Sequence, residues 1–438
     1  MRVHAELVAN NQNGYVGTRT AAWAVFALTF LLMLFDFIDR QVIVSMLPII
    51  KAEWKLSDTQ LGGLISIVAF TVGVLSIPVA IVADRWSRVK CVFVMAAIWS
   101  LATIACGYAT SYLQLLSLRG LVGAGEAGYN AVGSAILAAR FPARMRALVL
   151  ASFTAAATVG VVTGVVLGGI IAKNYGWQLA FGIVGIPGLI LAFLYLFVED
   201  YETVKITDGR ASNRPSLLGM AQLLLQTPSA MIIYIASGLQ LFVVSTMFSW
   251  LASFFNRSYG LSVDKAGIRA AMLLLAGCIG TILWGYLADY FGRTGARNKI
   301  WVMAASAFSS ALVLPLAFGV FSPGPIQVAM ITLGCILMTG TIGPVGAVAV
   351  DVVHPGVRAT ALAVGVLVQN LLGQAAGPFF TGFLSDRYGL SFTLSVVPLA
   401  GVLAAVAFLF TLRRYDRDLT MRTHSPATGT HVGVIRPN

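Results

Sequence analysis

The chain is 438 residues long, 58% hydrophobic and only 11% charged, with a formal net charge of +12. A soluble domain carries roughly 25% charged residues, so this composition excludes a dissolved globular protein and points to a membrane bundle. The positive excess reads as anchoring to an anionic leaflet, and no nucleic-acid partner is expected.

Residues 1–21 form a polar tail with neither an apolar core nor a cleavage site, so a removable signal peptide is not expected. Apolar runs long enough to cross about 30 Å of hydrocarbon as helices follow at 22–48, 60–83, 89–109, 112–139, 146–172 and 178–198. The stretch 199–229 is charged and reads as a linker, with a mildly amphipathic run at 216–226 suited to a short surface helix. Six more runs lie at 230–255, 266–288, 299–320, 326–350, 358–384 and 391–413, before a tail at 414–438. A β-barrel would alternate polar and apolar residues over short strands, and runs such as 24–35 and 189–198 do not. The expectation is an all-α membrane protein of twelve transmembrane helices, in bundles at 22–198 and 230–413.

An internal repeat relates the two halves. PVAIVADRWSR at 78–88 is echoed by GYLADYFGR at 285–293, each closing the second span of its half. The turn Phe141-Pro142-Ala143-Arg144 is echoed by His354-Pro355-Gly356-Val357-Arg358, and Lys173-Asn174-Tyr175-Gly176 by Asp386-Arg387-Tyr388-Gly389. Three landmarks at nearly one offset mean a duplication, and a period this long excludes a solenoid.

Lys and Arg number 20 on the side holding both termini, 7 on the other and 2 inside the membrane. The positive-inside rule therefore places both termini in the cytoplasm, with a bacterial inner or plasma membrane as the expected location. Cys91, Cys106, Cys278 and Cys335 fall in or beside apolar helices as packing residues, and His4, His354, His424 and His431 fall in tails or a turn. No metal cluster, Ser–His–Asp set or complete phosphate loop is evident, so no enzyme activity, cofactor or metal is expected.

Five ionisable side chains at membrane depth carry the main functional signal, because such groups are costly there and mark function. Span 1 carries Asp36, Asp39 and Arg40, and span 4 carries Arg119 and Glu126. At 100° per residue the first three lie within about 60° of one another, while Arg119 and Glu126 differ by about 20° and are separated by about 10 Å along the axis. Antiparallel spans put Arg119 level with Asp39 and Arg40, and Glu126 level with Asp36, in one polar cluster. Three acids face two arginines, and arginine keeps its proton. One carboxylate must take up the imbalance by binding a proton, since desolvation and like-charge neighbours disfavour its ionised form. Asp39 and Glu126 lead as proton-coupling groups, with Asp36 third. The alternative is a static ion-pair network fixing spans 1 and 4.

The second half offers neutral groups: Gln240, Phe248, Trp250 and Phe254 on span 7, and Gln369, Asn370 and Gln374 on span 11. Aromatic and amide groups around an apolar cavity suit an amphiphilic ligand, and Arg40 and Arg119 suit its carboxylate or phosphate head. Trp250 and Phe254 serve either there or as interfacial anchors. Gly160, Gly164 and Gly168 on span 5, and Gly373 and Gly377 on span 11, recur every four positions and read as packing seams, with smooth rocking between bundles as a further use.

The duplicated six-plus-six pattern, the central linker and Gly285, Asp289, Gly292 and Arg293 of the second basic turn resemble the major facilitator superfamily. Tyr290 stands where that family usually has arginine, and Ala80 and Ser87 replace glycines in the first turn. Phe37-Ile38-Asp39-Arg40, Asp84-Arg85-Trp86-Ser87-Arg88 and Arg119-Gly120-Leu121-Val122-Gly123-Ala124-Gly125-Glu126-Ala127 are most similar to spinster-type transporters. Organic-anion symporters share several of these runs. The resemblance implies a cytoplasmic gate at Asp84, Arg85, Arg88, Asp289 and Arg293, a role for Asp39 and Glu126 in coupling, and rocking of two bundles about a central cavity. The functional expectation is a monomeric, proton-coupled secondary transporter of a lysolipid-like anionic or zwitterionic amphiphile. The alternatives are a small-carboxylate symporter and, in another class, a membrane receptor or scaffold that transports nothing.

Overall fold

The computed structural model describes residues 15, 18–200, 227–353 and 358–424, and these are helical throughout, with no strand among them. The amphipathic run expected at 216–226 and the turn at 354–357 lie outside the described residues. Among the described residues, ten helices are long and apolar enough to cross a membrane. The first half comprises α1 (Arg19–Trp54), α2 (Asp58–Arg85), α3 (Arg88–Cys106), α4 (Tyr112–Glu126), α5 (Tyr129–Arg140), α6 (Ala143–Tyr175) and α7 (Trp177–Tyr195). The second comprises α8 (Pro228–Tyr259), α9 (Val263–Gly292), α10 (Ala296–Gly319), α11 (Pro325–Met338), α12 (Pro344–Val352), α13 (Arg358–Val368), α14 (Ala376–Tyr388), α15 (Leu390–Val396) and α16 (Ala400–His424). Twelve spans result, in two pseudo-symmetric bundles of six. The final helix continues past the apolar run through Tyr415 to His424.

Two spans are interrupted, at equivalent places in the two halves. Span 4 breaks into α4 and α5 at Ala127–Gly128, where Gly128 takes φ 84°, a left-handed conformation that favours glycine. Span 10 breaks into α11 and α12 between Met338 and Pro344. A broken helix frees carbonyls that lipid cannot satisfy, and at span 10 side chains take them up. Trp284 Nε1 donates to Ile336 O at 3.0 Å, Ser306 Oγ to Leu337 O at 2.6 Å and Gln240 Nε2 to Met338 O at 2.8 Å. Span 11 departs from the α-helix differently, through a π-helical turn over Gln369–Ala375 that joins α13 to α14.

The glycine seams close pairs of helices inside each bundle. A Cβ at Gly160 would meet Leu34 O at 2.7 Å, at Gly164 Ile38 O at 2.7 Å, and at Gly168 Val42 O at 2.2 Å. Span 5 thus lies backbone to backbone on the stretch of span 1 that carries Asp36, Asp39 and Arg40. Gly373 and Gly377 bring span 11 onto Leu241 and Phe242 of span 7 in the same way. Gly168→Ala is therefore expected to destabilise the protein by about 1–3 kcal/mol through overpacking, although alanine is by itself the better helix former by about 1 kcal/mol. Gly182→Ala, where nothing lies within 4 Å, serves as the control and should be neutral or stabilising in the same thermal unfolding assay.

Contacts between the bundles gather at the end distal to both termini. Asp58, at the first turn of α2, accepts from Arg257 Nη1 and Nη2 of span 7 at 2.7 and 2.8 Å, from Ser385 Oγ of span 11 at 2.6 Å, and from Lys51 Nζ at 2.5 Å. Asp386 completes the joint, accepting from the Asp58 and Thr59 backbone N–H groups at 2.7 and 2.8 Å, so the other bundle holds the first turn of α2 beside its own Ser57 cap. At the pseudo-symmetric position Lys173 of span 5 pairs with Asp264 of span 8 at 2.9 Å. Gly382 against Asp58 O and Gly267 against Val165 O let the backbones approach.

Candidate functional site

The five ionisable groups of spans 1 and 4 do meet, in two sets. Arg119 Nη1 donates to Asp39 Oδ1 at 3.1 Å and to the Asp39 carbonyl at 3.3 Å. Thr103 of span 3 donates its hydroxyl to Asp39 Oδ2. In the second set Arg40 Nε lies 2.9 Å from Glu126 Oε2 and 3.3 Å from Asp36 Oδ1, donating its hydrogen to Asp36. Asp39, Arg119, Asp36 and Glu126 are buried, and Arg40 alone is partly exposed, its side chain 17% accessible. The Arg40 guanidinium also stands 5.1 Å from the Phe37 ring centroid.

The pairing of depths expected from helix geometry is the one observed, Arg119 with Asp39 and Glu126 with Arg40. Glu126 is the last residue of α4, immediately before the break. The Thr103 hydroxyl gave no sequence signal, because its partner is on a different helix. Nearer the termini, Tyr129 donates to the Thr29 carbonyl at 2.7 Å, and the Thr29 and Tyr195 hydroxyls lie 2.9 Å apart. This belt joins spans 1, 4 and 6 beneath the charges.

The second-half candidates do not converge as a group. Gln240 is fully buried and turned into its own bundle, donating to Ser310 Oγ at 3.1 Å as well as to the span 10 break. Phe248 is half-buried against span 8 beside Gly277, and Asn370 faces Gly73 of span 2 from the π turn. Trp250 and Phe254 are core residues: Trp250 donates to Pro378 O at 3.2 Å, and Phe254 packs edge-on to Phe318 at 4.9 Å. Gln369 donates to Ser237 Oγ at 3.2 Å within its bundle.

At the end holding the termini, Asp84 and Arg85 close α2, and their side chains lie outside the described set. Arg88 opens α3, where Ser87 caps the helix and donates to Asp200 Oδ2 at 2.5 Å. Asp289 pairs with Lys299 at 3.3 Å, inside the second bundle, and Arg293 is exposed. Of the gate residues expected from the two basic turns, Asp289 is thus engaged within its own half.

A duplicated bundle of membrane-length helices, with charged groups sunk between spans 1 and 4, is the architecture of a membrane transporter. Residues 29–378 match the Major Facilitator Superfamily, and the chain belongs to that family. It is 26% identical over 401 residues to a hexuronate transporter of Bacillus subtilis, covering 89% of this chain and 93% of that one. It is 27% identical over 429 residues to protein spinster homolog 1 of Xenopus tropicalis, covering 90% and 81%. In fold it resembles the crystal structure of a bacterial homologue of the human lysosomal transporter Spinster, in an inward-facing and unoccupied conformation. That likeness has a TM-score of 0.82 and 24% identity, over 92% of this chain and 99% of the other.

Proposed function

We propose that this transporter is proton-coupled and moves an anionic or zwitterionic amphiphile, lysolipid-like in chemistry, by alternating access of the bundles at 22–198 and 230–413. The observation that carries the reading is the meeting of three acids and two arginines in a buried cluster. Protonation of an acid releases its hold on arginine, and a carboxylate or phosphate head then takes the acid's place through paired hydrogen bonds. Proton and anion are thereby coupled by competition for one cation. Phe248 and Asn370, which stand toward spans 8 and 2, supply neutral contacts on the opposite bundle, whereas the bonds of Gln240 fit it to a structural role.

In this reading the excess of Lys and Arg places both termini in the cytoplasm. The joined distal end then faces outward, and the described state is inward-facing. Asp84, Arg85, Arg88, Asp289 and Arg293 would clamp the halves in the opposite state. The monomer suffices for this cycle. A second reading, a symporter of small carboxylates, is favoured by the likeness to a hexuronate transporter, since its ligand would meet the same arginines.

Uptake into proteoliposomes tests both. An inward proton gradient is expected to raise accumulation of a labelled lysophospholipid at least several-fold, and a protonophore to abolish the increase. Competition by galacturonate with no lysolipid uptake would replace the amphiphile with the small anion. Absence of any gradient-driven flux would leave the receptor or scaffold reading.

A further inference from the structure

Among the three acids, Asp36 is the one outside the sequence pattern that suggested the site, yet its surroundings are specific. Asp39 is matched, with one oxygen on Arg119 and the other on Thr103. Arg40 stands between the two remaining carboxyl groups. Its Nε carries a single hydrogen, which goes to Asp36. Glu126 is left against the guanidinium at 2.9 Å with a fully buried side chain and no hydrogen bond to either oxygen. A buried charged oxygen without a donor is costly, and two ionised carboxylates on one cation repel in a poorly hydrated space. The Asp36 and Glu126 carboxyl groups flank the same Arg40 Nε, at 3.3 and 2.9 Å. A proton on Glu126 turns it into a donor toward Asp36 and removes both costs together.

We propose that Asp36 and Glu126 share one proton as a carboxyl pair, with Arg40 neutralising the charge that remains. Each set is then neutral: Asp39 with Arg119, and the protonated pair with Arg40. Release breaks the Glu126 O–H bond, sends the proton to water reaching the partly exposed Arg40, and leaves the trio one charge negative until an ion or a new proton restores balance. The other ionisable groups around the pair are Asp39 on span 1, Arg119 on span 4, Cys106 at the end of span 3, Tyr129 beyond the break and Tyr195 on span 6. Neither tyrosine competes for this proton, since both hydroxyls are engaged at Thr29. Gly160 and Gly164 of span 5 lie against this stretch of span 1, and residues 151–172 of that span carry no ionisable side chain. The inference deepens the coupling reading above and rests on it for its meaning in transport, but its test does not.

The test is infrared spectroscopy of the purified full-length protein at neutral pH, following the carbonyl stretch of a protonated carboxyl and its shift in heavy water. Wild-type protein is expected to show one such buried group, and Asp36→Asn to lose it, because Glu126 then meets Arg40 one to one. Glu126→Gln should lose it as well, and Asp36→Glu should retain it at a shifted frequency. A band that survives Asp36→Asn, a band unmoved by Asp36→Glu, or no band in the wild type overturns the proposal. Asp36→Glu keeps the question open to measurement where Asp36→Asn fails to fold. The expected band without proton-driven uptake would refute the coupling reading and leave the pair intact, whereas uptake without the band would do the reverse.

Discussion

Arg119→Ala is expected to destabilise the protein by about 3–5 kcal/mol, because it strands the carboxylate of Asp39 in the bundle interior. Arg119 is 1% exposed, and its Nη1 serves both the Asp39 carboxyl and the Asp39 carbonyl. Thr103 alone cannot compensate a buried charge. The double variant Arg119→Ala with Asp39→Asn should recover most of the loss in thermal unfolding, since a neutral amide keeps the Thr103 partner without the stranded charge. Substrate uptake should fall to background in both. A double variant no more stable than the single one would show that Asp39 is not the group left uncompensated.

The distal joint sets the second large effect. Arg257→Ala removes two charge-assisted hydrogen bonds to Asp58, worth about 1.5–3 kcal/mol each, and Asp386→Ala removes the acceptor of the Asp58 and Thr59 N–H groups, worth about 1 kcal/mol or more, while Ser57 still caps α2. All of these contacts cross between bundles, so their loss acts on the closed state alone. Together they bias the two-state equilibrium by about a thousandfold or more. Spin labels at Tyr175→Cys and Tyr388→Cys, exposed positions at the distal ends of spans 5 and 11, report the opening, with the four native cysteines replaced. The long-distance population is expected to dominate in the double variant and to be minor in its absence. An unchanged distance distribution would mean that helix packing, rather than this joint, keeps the distal end shut.

The charged cluster was legible because helix periodicity and the antiparallel order of spans fix both azimuth and depth. Asp36, Asp39 and Arg40 on one face, and Arg119 seven residues before Glu126, needed no tertiary information to be paired. The distal joint was not legible. Asp58 meets Arg257 and Ser385 from 199 and 327 residues away, and sequence separation hides such partners, although Asp386 and Lys173 had already marked the ends of spans 11 and 5 as related. The direction in which Gln240, Trp250 and Phe254 point was hidden for another reason. Span 7 is buried on nearly every side, so a polar or aromatic residue there has no lipid face to define its direction. The interruptions escaped notice because 112–139 and 326–350 read as continuous apolar runs. Gly-Glu-Ala-Gly has no proline to stop a helix, and in the second half Gly343-Pro344 lies inside an otherwise unbroken apolar stretch. The seam glycines were recognised, but they fasten span 5 to span 1 and span 11 to span 7 instead of lubricating the division between halves.

The breaks in spans 4 and 10 carry an evolutionary consequence. Their equivalent placement puts the interruption in the ancestral six-helix unit, before its gene was copied and fused. Such a unit would have worked as a pair of identical subunits, bearing the same side chains at both copies of the distal joint. Fusion freed the copies to diverge, and they did so unequally: one copy has kept an ion pair between Lys173 and Asp264, while the other has become a carboxylate holding the first turn of a foreign helix. The interiors differ in the same unequal way: the first half holds its charges beside the break, and the second holds an amide that bonds across it.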